Sequence, residues 1–238
     1  MKAVAVTAGN EGWFRYAACR FAFRWRALST LIEDGFPCID ASDMIPWNRL
    51  HHTMFAKAFL WDVVPKDTDV ILWVDADVFQ SRPVGLSELP TAPFSAVRDM
   101  KTGLEAVRRE WPRAHEVPSF FNAGVFVATR EAMPVFEDMQ HHTIEGLGEA
   151  PYGDQCWWNL YVQQRLGGWN QLDQNWNYLV GEATPPRPLF LHFAGVNRRD
   201  LMLDMFHQTA AEMERCILAY ARREAARTTH HKEEAPGP

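Results

Sequence analysis

Val70 to Phe79 reads VILWVDADVF: an unbroken apolar run that ends in two carboxylates, Asp75 and Asp77. Residues two apart in extended chain project to the same side. Two ionised carboxylates held that close repel each other unless something positive lies between them. A divalent cation meets that need, and all-oxygen ligation favours Mg²⁺ or Mn²⁺. In an α/β sheet, ligands bind beyond the carboxyl ends of the strands, where this pair stands. The plainer alternative is a pair of surface carboxylates in a turn, where Asp is common.

Four further stretches carry residues able to do chemistry. FFNAGVFVATR (120–130) presents Asn122 just before a buried strand. YGDQCWWNL (152–160) sets Asp154 and Gln155 at the start of a helix, and LDQNWNYL (172–179) follows. LFLHFAGVNR (189–198) ends a strand in His192, with Arg198 six residues on. Each also has a structural reading. Asn122 caps a turn, Asp154 is an N-cap, and Lys57 belongs to the solvated face of its helix. Trp157 and Trp158 fill the core, and the pairs His51-His52 and His141-His142 lie on the surface.

Hydrophobic periodicity supplies the elements that must hold these residues. Lys2–Thr7 is a buried strand. From Trp13 to about Thr30, Ala17, Phe21, Trp25 and Leu28 recur at helical spacing. PCID forms a second short strand, and Leu50, Met54, Ala58 and Trp61 mark another helix. Val70–Val74 does not alternate, so both of its faces should be covered. Strands follow at FSAV, AGVFVAT and PLFLHF, with helices at 101–110, 130–145, 154–164 and 201–227. Alternating strands and helices define an α/β class with a sheet flanked by helices. The polar tail, residues 228–238, is expected to be disordered.

The chain has 238 residues, enough for one large domain with a substantial core. Its net charge of −6 gives little support to a nucleic-acid partner. Arg15, Arg20, Arg24 and Arg26 read as a solvated helix face. Four scattered cysteines lack metal-type spacing and fit reduced thiols in a cytoplasmic protein. No stretch reaches the ~20 apolar residues of a membrane span.

In order, the Asp-x-Asp strand, FNAG, DQ with a following Asn, WN and HFAG resemble the family 8 glycosyltransferases, the group of glycogenin and the bacterial lipopolysaccharide galactosyltransferases. The resemblance covers residues 70–198 and implies a GT-A, Rossmann-like fold with a mixed central sheet. It implies one domain over 1–227, with a nucleotide-sugar half (about 1–100) and an acceptor-side half (about 101–227). The implied activity is retaining transfer from a nucleotide sugar, usually a UDP-sugar, to a hydroxyl acceptor. It assigns Asp75, Asp77 and His192 to Mn²⁺ (or Mg²⁺). Thr7, Asn10, Lys57, Asp75, Ala76, Asn122, Ala123, Gly195 and Arg198 fall to the donor, and Asp154 and Gln155 to catalysis, with Gln155 beneath the anomeric carbon. Ala8 and Gly9 stand where the family carries acids that touch uridine, so base recognition is altered. The family's KPW ending is lost, since Arg198 is followed by Arg199-Asp200. Two alternatives stand beside this reading. A haloacid-dehalogenase-type phosphatase would use Asp75 as nucleophile, although its motif opens the chain and needs later acids not found here. A degenerate sugar-binding protein would keep the fold without turnover.

Overall fold

The computed structural model describes residues 1–50, 52–99, 104–145, 150–181, 187–195 and 201–202. The chain begins with β1 (Ala3–Thr7), α1 (Gly12–Ser29) and β2 (Cys38–Asp40). A 3₁₀ stretch, Thr53–Phe59, runs into the one-turn α2 (Leu60–Val63) and then β3 (Val70–Val74). After β3 come β4 (Val78–Gln80), β5 (Phe94–Arg98), α3 (Leu104–Glu110), β6 (Phe121–Thr129) and α4 (Met133–Glu145). The described part closes with α5 (Asp154–Leu166), β7 (Asn170–Leu172), β8 (Tyr178–Leu179) and β9 (Phe190–His192).

The main sheet has the order β2-β1-β3-β6-β5-β7. Its first three strands are parallel, β6 runs antiparallel to both β3 and β5, and β7 is parallel to β5. Successive side chains of β1, β3 and β6 point to opposite faces. Val4, Val6, Ile71, Trp73 and Phe126 enter one core with Trp158 of α5 and Phe136 of α4. Ala3, Ala5, Val70, Leu72, Val125 and Val127 enter the other, with Phe21 and Trp25 of α1. Both faces are covered, which is why these strands read as continuous apolar runs.

A second sheet, β4-β9-β8, sits beyond the end of β3. The chain turns at Asp75, whose carbonyl accepts from Val78 N–H at 3.1 Å, and then runs as β4 against β9. The antiparallel register sets Val78 opposite His192.

Several sequence expectations change. Residues 50–61 do not form one helix with a Leu50–Met54–Ala58–Trp61 stripe. The 3₁₀ stretch buries Phe55 through Phe59 in succession and leaves Met54 exposed. Its tight turn is wedged against α4, where Gln140 Nε2 donates to Ala58 O at 3.0 Å, so several faces are covered at once. His142 is not part of a surface pair; it is buried with its ring 4.0 Å from that of Trp157. Arg24 leaves the solvated face: its Nε donates to Gln80 O at 2.7 Å, and its guanidinium lies 4.3 Å over the Phe79 ring. Strands β4, β7 and β8 are too short for their periodicity to be read. Of the expected C-terminal helix only Leu201 and Met202 are described; the rest of it and the tail lie outside the described residues. No described helix is long and apolar enough to cross a membrane.

Candidate active site

The carboxyl end of β3 delivers Asp75 to the floor of a cleft. Its backbone N–H donates to Gly124 O at 2.8 Å, so the pairing of β3 with β6 fixes its position. The indole N–H of Trp73 donates to Asp75 Oδ1 at 2.7 Å and orients the carboxylate. Asp77 follows on the turn, its carbonyl accepting from Phe193 N–H at 2.8 Å. That bond holds the end of β9 beside the turn and puts His192 Nε2 3.4 Å from Asp77 Oδ1. Asp75, Asp77 and His192 each offer one ligand atom, and these atoms lie within 4.8 Å of one another.

Lys57 closes the inner side. Its ammonium lies 3.0 Å from Asp154 Oδ2 and 3.3 Å from Asp75 Oδ1, and donates to Ala123 O at 3.1 Å. Three N–H groups meet three acceptors, which is how a lysine tolerates this depth. Burial works against the charge, but Asp154 and Asp75 more than offset it and raise the ammonium's pKa above the ordinary lysine value. Asp154 is the first residue of α5 and makes no side-chain cap; Gly153 holds the cap position. Its carboxylate at the positive end of the helix turns to Lys57 instead.

Burial pushes the Asp75 carboxyl up to about 6; Lys57 opposes the shift and the neighbouring Asp77 adds to it. Asp77 is held below the usual carboxylate range, because His192 outweighs the effect of burial. Among the described residues lining the cleft, Asp75, Asp77, Asp99 and Asp154 are countered by Lys57, a field that favours a cation.

The cleft has two lobes. The larger, about 750 Å³, is lined by Asp99, Asn122, Ala123, Asp154, Gln155 and Gly195 among others. The smaller, about 220 Å³, is lined by Ala8, Gly9, Asn10, Phe14, Trp47 and Ala76, with the Asp-x-Asp pair between the two. Gln155 is anchored at both ends: Oε1 accepts from Ala123 N–H at 3.1 Å, and Nε2 donates to Asp99 Oδ2 at 2.7 Å.

The structure therefore brings Asn10, Lys57, Asp75, Ala76, Asp77, Asn122, Ala123, Asp154, Gln155, His192 and Gly195 to one cleft. Asn122 lies inside β6 rather than before it, and its Oδ1 accepts from the backbone N–H of Gly124 two residues on at 2.9 Å, the local bond an Asn makes when it caps a turn. Thr7 is fully buried at the end of β1, so the chain first reaches the cleft at Ala8. Arg198 lies outside the described residues. Trp157 and Trp158 are core residues. Site residues that went unassigned from sequence include Phe14 and Trp47 in the smaller lobe, and Asp99 and Asn177 around the larger. Asp99 follows the buried strand FSAV much as Asp75 follows its own strand, a signal that would have found it. Asn177 stands in the WN segment and becomes informative only through its partners.

A mixed sheet with a metal-type Asp-x-Asp end and a two-lobed cleft defines the GT-A class of sugar-transfer fold. The chain belongs to Glycosyl transferase family 8, whose profile it matches over residues 43–196. That membership sets aside the phosphatase reading of Asp75. Among solved structures, the chain resembles the glycosyltransferase GlyE of Streptococcus pneumoniae TIGR4 at 16% identity, covering 90% of this chain and 62% of that one, with a TM-score of 0.56. It also resembles a glycosyltransferase involved in glycosylation of the major capsid of PBCV-1, at 16% identity and TM-score 0.59, covering 86% of this chain and 100% of that one. The bifunctional WbbM aligns at 14% identity and TM-score 0.61, over 92% of this chain and 51% of its own. These likenesses establish the fold. A search of curated proteins returns no match.

Proposed function

We propose that this chain is a metal-dependent, retaining glycosyltransferase that moves a sugar from a nucleotide sugar, most simply a UDP-sugar, to a hydroxyl-bearing acceptor. The observation that carries this is the Asp75–Asp77–His192 set placed between the two lobes of one cleft. Its mixed oxygen and nitrogen donors suit Mn²⁺ better than Mg²⁺. The fit is supported by His192 Nε2 and Asp77 Oδ1, which face each other at 3.4 Å and call for a cation or a proton between them. When bound, the cation supplies charge neutralisation for a diphosphate leaving group.

The remaining roles belong to the chain's own side chains. Asn10, Phe14 and Trp47 line the lobe that receives the nucleoside. Asn122 and Asp154 face the other lobe, where they bind sugar hydroxyls, and Ala123 and Gly195 shape its wall. Lys57 holds Asp75 and Asp154 in register rather than reaching out to the donor. Gln155, gripped by Ala123 and Asp99, presents a fixed amide to the sugar. Its carbonyl dipole stabilises positive charge that develops at the anomeric carbon, an interaction stronger in the transition state than in the ground state. Whether the chain turns over or only binds is decided by the same assay that identifies the base.

That assay gives purified protein Mn²⁺ with a panel of UDP-, GDP-, CDP- and TDP-sugars, and reads melting temperature and donor hydrolysis. Mn²⁺ with the matching nucleotide should stabilise more than either alone; at 100 times the dissociation constant the gain is about 2.7 kcal/mol. Asp77→Ala and His192→Ala should fold and lose the Mn²⁺-dependent gain. No shift with any nucleotide overturns the reading, and binding without hydrolysis or transfer points to a degenerate sugar-binding protein.

A further inference from the structure

A chain of hydrogen bonds runs behind His192. Gly124 N–H lies 2.9 Å from Asn122 Oδ1, Asn177 Nδ2 lies 2.8 Å from the same oxygen, and Asn177 Oδ1 lies 3.0 Å from His192 Nδ1. Its three side chains, those of Asn122, Asn177 and His192, are buried, at 9%, 3% and 4% exposure.

The direction of every bond follows from its first donor. A backbone N–H can only donate, so the Asn122 atom that meets Gly124 N–H is the amide oxygen. That oxygen also meets Asn177, which must present its NH₂ group there. Asn177 therefore turns its own oxygen to His192. An amide oxygen can only accept, so Nδ1 of His192 carries the proton. Nε2, the ring nitrogen that faces Asp77, is left as the position able to offer a lone pair.

We propose that Asn122 and Asn177 are positioning residues that fix the tautomer of His192, so that its Nε2 is presented to a divalent cation at Asp75 and Asp77. The inference rests on the metal-dependent reading above. Partners behind a ligating histidine lock its ring and raise its basicity, and their loss costs about 10- to 100-fold in metal affinity. The polarity comes from the β6 main chain, through a bond between two residues of that one strand, Gly124 and Asn122. Gly124 also makes room for the ring: a Cβ at this position would stand 2.2 Å from His192 Cε1 and 2.7 Å from Nδ1.

The test uses the metal-free full chain and Mn²⁺ alone, with no donor. Ring-¹⁵N-labelled protein, with His192 assigned by comparison with His192→Gln, should show the neutral His192 ring protonated at Nδ1. Asn177→Leu, which removes the acceptor, should lose that single tautomer and weaken Mn²⁺ binding about 10- to 100-fold. Asn122→Asp accepts from both Gly124 and Asn177 as before, so it should keep the Nδ1–H tautomer and bind Mn²⁺ within a few-fold of wild type or more tightly. A wild-type ring protonated at Nε2 overturns the proposal, as does an Asn177→Leu protein that binds Mn²⁺ like wild type. If Asn177→Leu does not fold, the wild-type tautomer and Asn122→Asp still decide. An Nδ1–H ring in a wild-type protein that takes up no Mn²⁺ overturns the metal-dependent reading, and with it the proposal that Nε2 serves a cation.

Discussion

The ammonium of Lys57 and the carboxylate of Asp154 meet at 3.0 Å, each side chain only 7% exposed. Through this contact the 3₁₀ stretch that precedes β3 is tied to the first turn of α5. Since Lys57 also meets Asp75 at 3.3 Å, one buried charge links the carboxylate at the metal-type site to one facing the larger lobe.

Removing that charge should be costly. Lys57→Met leaves Asp75 and Asp154 buried without their counter-ion, and breaking a buried pair in this way costs about 3–5 kcal/mol. Asp154→Asn should cost less, because Asp75 and Ala123 O remain to satisfy the ammonium. Urea unfolding of both variants checks the order. Equal losses would show that Asp75 contributes nothing to holding Lys57.

Gly124→Ala should separate packing from binding. The added methyl would meet His192 Cε1 at 2.2 Å, and relief requires the ring to move. Overpacking of this kind costs about 1–3 kcal/mol. The larger consequence is loss of the Mn²⁺-dependent rise in melting temperature, since a displaced ring no longer faces Asp77. Thermal melts with and without Mn²⁺ measure both effects on one sample.

Burial gives the metal-free protein a pH signature. Asp75 is pushed up to about 6, above its unfolded value of about 3.9, so the folded state holds its proton more tightly. Between about pH 4 and 6 the unfolded chain binds fewer protons there, and the Asp75 contribution to stability falls as pH rises. A cation needs the ionised carboxylate. The stabilisation by Mn²⁺ should therefore grow through this window and level off above about pH 6. Asp75 and Asp77 titrate as a pair, and Asp75→Asn should flatten the curve. Melting temperatures at fixed Mn²⁺ from pH 4.5 to 8 test this.

Gln155→Ala should leave donor and Mn²⁺ affinity near wild type while turnover falls about 10²- to 10³-fold, the range of one preorganised electrostatic contact. The α5 helix should survive, because Asn159 still bonds the Gln155 carbonyl at 2.8 Å and both backbone groups of Phe121. Affinity and hydrolysis measured on the same preparation decide the role. Unchanged hydrolysis removes Gln155 from the site; affinity and turnover falling together with stability mark it as a packing residue.

The sequence by itself determined the class of fold and the kind of site. Buried strands such as Val70–Val74 show as apolar runs, and α1 shows as a stripe of Ala17, Phe21 and Trp25, because these signals are local and repeat along the chain. The Asp-x-Asp end, His192 and the FNAG and DQ stretches were legible as short segments with polar residues where strands end and a helix begins. The tertiary structure decided how these residues use one another. Lys57 could also be read as solvent-facing until Asp154 and Asp75 were brought to it across the molecule. Asn177 was legible only as part of the WN segment and with no role attached, since its meaning lies in an oxygen turned toward His192 and an NH₂ turned toward Asn122. The nitrogen that His192 offers depends on a backbone N–H in β6, far away in the chain. Hydrogen-bond direction between distant segments leaves no period and no composition in the sequence; it arises when the fold brings Asn177 and His192 up to an amide that a local β6 N–H has already oriented.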